Sequence, residues 1–340
     1  MQVTWWRRVR CGRVVLVLAL LCACTATGSN ESSDDSLDGA ARSYPATILP
    51  IKSFPTASTT GVPRDQPLTR WDGPLTTSEA DLPTTVVGGR VCDVIDGYRF
   101  ELQGDQQLRI DSPCVVIRRS SFVTKGETSS LVIQAEDNEQ LDVDQSTFDG
   151  GPLHVRGVQA DYADVTVQRS LFVHFGNAAI EMSDRSATAT LTVEGCFLRE
   201  TPGWPRDQHV DGVQMNAGGR LEVRGNTIIV APFGGVPGDY SYVSNSAIGV
   251  GATLANVGGV SIVGNLLAGG GHSLYVEEKD FRMTGSVTVA SNVFDQRFFS
   301  AGPLYGVLYP DGVPAAIDWS GNTWSDGSQV DLDTALQAAA

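Results

Sequence analysis

Residues 207–214, Asp-Gln-His-Val-Asp-Gly-Val-Gln, form the densest run of ionisable and hydrogen-bonding side chains in the sequence. Side chains alternate along an extended backbone, so Asp207, His209 and Asp211 share one side. An imidazole between carboxylates has its pKa raised and its ring oriented, which suits a group that moves a proton. In a lyase or epimerase, His209 would be the base that takes a proton alpha to a uronate carboxylate. The charge that develops there needs a cation, either calcium held by Asp207, Asp211 or Glu181, or the guanidinium of Arg206. Tyr275 or Lys279 would return the proton or protonate the leaving oxygen. A hydrolase would use Glu181 and Asp211 instead, as acid and base on neighbouring strands about 4.8 Å apart, the closer and retaining separation. A structural reading stands beside these: Asp211-Gly212 shapes a turn and His209 satisfies a loop carbonyl.

The elements that would position these residues are set by a repeat. An apolar–any–apolar strand, two more residues, a small polar residue and a further apolar position recur in VVIRRSSF (115–122), LDVDQSTF, VTVQRSLF, LTVEGCFL, LEVRGNTI, VSIVGNLL, VTVASNVF and IDWSGNTW (317–324). The polar position falls at Ser120, Ser146, Ser170, Cys196, Asn226, Asn265, Asn292 and Asn322, with spacings of 26, 24, 26, 30, 39, 27 and 30. Such a period means a solenoid, and its two-residue alternation excludes helical repeats. The fold class expected is all-β, a single-domain right-handed parallel β-helix of about eight to nine coils over residues 89–326. The asparagines should form an inward ladder whose amides bond along the axis.

A second strand follows each first one. Aligning these places Ile180/Met182, Val213/Met215, Ile248/Val250 and Leu274/Val276 inside, with Glu181, Gln214, Gly249 and Tyr275 outside. Ala179, Gly212, Ala247 and Ser273 are expected outside as well, as the small floor of a shallow groove. Two long loops, 199–211 and 229–246, leave from one corner of adjacent coils and carry Trp204, Arg206, Tyr240 and Tyr242. Aromatics over a groove suit stacking on sugar rings. His272, His174 and Lys279 are the remaining candidates near it.

Composition limits the partners. A formal net charge of −15 argues against nucleic acid, since a binder needs cations to replace phosphate counterions. Arg7, Arg8, Arg10 and Arg13 precede the apolar run VVLVLALLCA, which is too short to span a bilayer and reads as a secretory leader. Loss of residues 1–23 would leave the remainder more acidic still. Residues 24–46 are polar and small, a flexible tether. Residues 47–88 read as an irregular cap over the start of the domain, and residues 327–340 as a C-terminal cap or tail. Export permits a disulfide, and Cys92 and Cys114 are one coil apart, so they are candidates to pair; two buried thiols are the alternative. The chain is expected to be a monomer.

Two resemblances follow from quoted residues. Leu21-Cys22-Ala23-Cys24 resembles the bacterial lipoprotein signal, with Cys24 as the lipidated residue, and implies an extracytoplasmic, membrane-anchored protein. FPTASTTGVP (54–63), VIDG (94–97), CVVIRRSSF (114–122), HVDGVQ (209–214), VRGNTI (223–228), NSAIGV (245–250), VGNLLAGGGHSLYV (263–276) and WSGNTW (319–324) resemble the right-handed parallel β-helix proteins of the pectate-lyase-like superfamily. That likeness covers roughly residues 50–326. It implies a polysaccharide lyase, hydrolase or epimerase, often calcium-dependent. The Asp207–His209–Asp211 run also resembles the Asp-Pro-His-Glu/Asp signature of alginate C5-epimerases, with Gln208 in place of the proline. The leading expectation is a polysaccharide lyase. A non-catalytic glycan-binding surface lipoprotein and a purely structural solenoid are the alternatives of other classes.

Overall fold

Short strands with two-residue alternation cannot bury both faces alone, and here each pairs with its equivalent one coil away. The computed structural model describes residues 54–104, 106–125, 131–135, 139–151, 156–200, 210–230, 245–300 and 302–337. They form a right-handed parallel β-helix of about eight turns. Each coil contributes a strand to three parallel sheets, here C, A and B in the order the chain meets them. In one middle coil these are Asp164–Gln168 (C), Leu171–Phe175 (A) and Ile180–Ser183 (B). Asp211–Arg224 runs unbroken from sheet B into sheet C.

The turn from C to A carries the expected ladder, and all eight of its members are buried. Asn265, Asn292 and Asn322 each accept two bonds at Oδ1 from the asparagine one coil earlier, and Asn226 Oδ1 accepts one from Cys196 N. Each Nδ2 also donates to a carbonyl: Asn226 to Val193 O, Asn265 to Val223 O and Asn292 to Ile262 O, all at 2.9 Å, and Asn322 to Val289 O at 2.8 Å. The ladder continues through Cys196 Sγ, Ser170 Oγ, Ser146 Oγ and Ser120 Oγ, each accepting from the backbone N–H one coil earlier. The residue before each member is left-handed, with φ from 46° to 67°. Glycine fills four of these positions (195, 225, 264 and 321) because it has no Cβ to clash there. Arg119 and Arg169 fill two others, and their guanidiniums grip Asp96 and Asp144.

Inside sheet A, Phe100, Phe122, Phe148 and Phe172 stack at 4.5, 4.9 and 4.4 Å, and Trp71 closes the column on Phe100 at 5.1 Å. Buried aromatic pairs of this kind add about 0.5–1.5 kcal/mol each beyond their area. Valine, isoleucine and leucine line sheets B and C.

The ends are closed differently. Thr84–Val87 pairs antiparallel with Arg90–Asp96, and Cys92 and Cys114 are joined by a disulfide beneath it. Residues 54–62 are not confined to the start of the helix. They cross the outer face of sheet A, where Pro55 O accepts from Thr227 Oγ1 at 2.7 Å and Gly61 N donates to Arg169 O at 2.8 Å. The left-handed Gly61 lies so close that a Cβ would meet Thr147 Oγ1 at 2.5 Å. At the other end Leu332–Leu336 is a short helix capped by Asp331, and it buries Ala335.

Candidate functional site

Sheet B carries the site, and its register is the expected one. Ile180, Val213, Ile248 and Leu274 align inward, while Glu181, Gln214, Gly249 and Tyr275 align outward. Ala179, Gly212, Ala247 and Ser273 do not form a groove floor, because all four are buried. A Cβ on Gly212 would meet Ile228 Cγ2 at 2.3 Å and the Ala247 carbonyl at 2.5 Å. The corner between sheets A and B turns this column toward the inward side chains of sheet A, which leaves room only for small residues. Their smallness reflects core crowding and not ligand access.

The actual floor is one coil of glycine, Gly249 and Gly251, between Gln214 and Asn216 on the coil before and Tyr275 and Glu277 on the coil after. A Cβ on Gly251 would meet only Thr253 Cγ2, at 3.3 Å. The resulting cavity has a volume of about 370 Å³, and Asp211, Asn245, Thr253, Lys279 and Tyr309 complete its lining.

Each polar wall is held in place. Asp211, fully buried as a residue, accepts from Asn245 Nδ2 at 2.9 Å and from Ser246 Oγ. Gln214 Nε2 donates to Asn216 Oδ1 at 3.3 Å, and Asn216 Nδ2 reaches Glu181 Oε1 at 3.3 Å. Lys279 Nζ lies 2.7 Å from Glu277 Oε2, a contact ion pair outside directed hydrogen-bond geometry. Tyr275 and Tyr309 stack at 4.8 Å, and Tyr309 donates to Asp311 Oδ2 at 3.0 Å. Burial, then the charges of Asp211 and Glu277, push the Tyr275 hydroxyl well above the ordinary phenol range, so it stays protonated.

His272 lies behind these rings, edge-on to Tyr275 at 5.4 Å and to Tyr309 at 5.2 Å. Its Nδ1 faces the Gly306 carbonyl at 2.9 Å; a carbonyl only accepts, so Nδ1 carries the proton and Nε2 the lone pair. Burial lowers the pKa of His272 and keeps the ring neutral. His272 therefore braces the tyrosines from behind and is not part of the cavity lining. His174 lies on sheet A, with Nδ1 2.8 Å from Asp149 Oδ1, and takes no part in the groove.

Glu181 and Asp211 do not have the arrangement expected of a retaining hydrolase. Glu181 is opposite Gln214, three residues along the strand from Asp211, whose carboxylate turns to the next coil. Directly opposed strands would give the short separation such a pair needs, and these two are not opposed. Glu181 instead contacts Arg156 Nε at 2.9 Å, an ion pair without hydrogen-bond geometry. Its burial raises its pKa against the pull of Arg156.

Trp204, Arg206, Asp207, His209, Tyr240, Tyr242 and Cys24 lie outside the described residues. Among the described residues, no three His, Cys, Asp or Glu side chains converge on a metal position. Asp211 Oδ1 is already engaged by two protein donors. Asp207, one of the carboxylates expected to hold calcium, lies outside the described residues.

The sequence reading missed Asn216, Asn245, Gly251, Glu277 and Tyr309. Four of them carried a signal. Asn216, Gly251 and Glu277 lie two residues beyond Gln214, Gly249 and Tyr275 and so share their outward face, and Tyr309 continues the Tyr275 column into the next coil. Comparison with protein-family models, curated proteins and solved structures finds no match.

Proposed function

We propose that the protein engages a carbohydrate polymer in the sheet B cavity. The observation that carries this reading is the glycine floor, with amides on one side and stacked tyrosines on the other. That layout pairs aromatic faces for sugar rings with donors and acceptors for hydroxyls. Titration of a broad panel of soluble oligosaccharides into the full chain tests it, with Tyr275→Ala and Tyr309→Ala as controls. Binding that weakens in both variants supports the reading, and an absence of binding across the panel sinks it.

A second reading, turnover as a polysaccharide lyase, is favoured by one observation: Tyr275 holds its proton beside the carboxylate of Asp211. In this reading His209 removes the proton alpha to the uronate carboxylate and the Tyr275 hydroxyl protonates the departing glycosidic oxygen. Ultraviolet absorbance of unsaturated sugar ends, lost in His209→Ala and Tyr275→Phe, would establish it. New reducing ends without that absorbance would indicate hydrolysis instead. Membership of the pectate-lyase-like superfamily is supported by the parallel β-helix and rests otherwise on the sequence resemblance. Export is supported by the Cys92–Cys114 disulfide, since such bonds persist in oxidising compartments, and lipidation at Cys24 rests on the sequence resemblance alone.

A further inference from the structure

The cavity on sheet B is a trench with a direction. Gln214 and Asn216 stand on the coil before its floor, and Tyr275 and Glu277 on the coil after. Two strand spacings separate these walls, about 9.6 Å, so the trench is one coil wide. It runs parallel to the strands and across the helix axis, from Asp211 and Asn245 near their start to Thr253 and Lys279 at their far end. A polymer laid along the axis would have to climb over one wall or the other.

The far end leads to the turn between sheets B and C. Two successive coils present apolar side chains to solvent there: Leu254 is 38% exposed and Phe281 40%. The backbone fixes both beside the trench. Leu254 N donates to Asn216 O at 3.2 Å, and Phe281 N donates at 3.0 Å to the carbonyl of Ala252, the residue before Thr253. Phe281 also follows Lys279 by two positions. Covering such side chains with a ligand removes apolar surface from water.

We infer that a sugar chain bound on the glycine floor continues past Thr253 and packs a further ring on Phe281, with Leu254 beside it, as an outer subsite. This rests on the glycan-binding reading above. An aromatic face takes the apolar face of a sugar ring without reading its hydroxyls. The trench then selects the sugar, and the outer subsite adds affinity only when the chain is long enough to occupy both.

The test uses cello-oligosaccharides and oligogalacturonates, each as disaccharide and hexasaccharide, titrated calorimetrically into the full chain. In a series that binds, the hexasaccharide should bind about tenfold more tightly than the disaccharide. Phe281→Ala should cut that advantage to about twofold, with disaccharide affinity and unfolding midpoint unchanged, and Phe281→Tyr should preserve it. Gln159, two coils from Gln214 in the same outward column, reports on the axial route, and Gln159→Ala should leave the advantage intact. An advantage lost in Gln159→Ala and kept in Phe281→Ala overturns the inference in favour of a chain along the axis. A hexasaccharide that binds no better than the disaccharide also overturns it, as does equal weakening of both in Phe281→Ala; the glycan reading stands in each case. Failure of both series to bind removes the inference, and the wider panel above then decides the glycan reading separately. Binding that survives Tyr275→Ala undiminished removes both.

Discussion

Asn265 Oδ1 accepts from both the backbone N–H of Asn226, at 3.0 Å, and its Nδ2, at 2.9 Å, although the two residues are 39 apart in sequence. One amide thus holds two coils in register while its own Nδ2 satisfies Val223 O. Asn265→Ala would leave the Asn226 N–H without its acceptor, take one of two acceptors from Asn226 Nδ2 and remove the side-chain donor to Val223 O. Each such group costs about 1–3 kcal/mol, so a loss of about 3 kcal/mol or more is expected in urea unfolding. Asn265→Ser should cost less, because serine fills the same position at 120, 146 and 170.

Gln145 precedes ladder residue Ser146 with φ 46°, a conformation that costs a residue with a Cβ roughly 1 kcal/mol. Unlike Arg119 and Arg169, it makes no carboxylate contact among the described residues to offset that cost. Gln145→Gly removes the strain but adds unfolded-state entropy, so a net gain of up to about 0.5 kcal/mol is expected. Thermal unfolding would show it as a small rise in midpoint.

Glu181 keeps its proton more tightly in the native chain than in the unfolded one, since burial raises its pKa above 4.5. Unfolding then releases a proton, and the contribution of Glu181 to stability falls as pH rises from 4.5 toward the elevated native value. Glu181→Gln should flatten the stability–pH curve in that window and leave the chain relatively more stable at neutrality. The check is urea midpoints measured from pH 4.5 to neutrality in both proteins.

The Cys92–Cys114 bond closes a loop with a sequence separation of 22. Loop-closure entropy alone assigns it about 3 kcal/mol. Reductant, or the Cys92→Ser/Cys114→Ser pair, should lower the unfolding midpoint accordingly. Cys196 should not respond to thiol reagents in the folded chain, because complete burial pushes its pKa to about 12.

Features with a fixed period were legible in the sequence. The ladder from Ser120 to Asn322 and the outward column from Glu181 to Tyr275 both follow from strand alternation plus coil spacing. Features that depend on where a chain segment crosses a neighbouring sheet were not. The 54–62 strap over sheet A carries no repeat to align, and the inward turn of Ala179 and Gly212 depends on Ile228 and its neighbours on another sheet. The ion pairs of Glu277 with Lys279 and of Glu181 with Arg156 are side-chain choices on the outward face of the strands, where periodicity sets direction but not partner.

The central claim, that sugar lies on the glycine floor of sheet B, is tested most directly at Gly251. Its backbone lies outside the left-handed region, and a Cβ there meets only Thr253 Cγ2, at 3.3 Å, on the cavity side of the strand. For an oligosaccharide that binds the wild-type chain, calorimetric titration of Gly251→Phe should show binding weakened about a hundredfold or more with the unfolding midpoint unchanged. Unaltered affinity in a folded Gly251→Phe chain would contradict the account and place the ligand elsewhere.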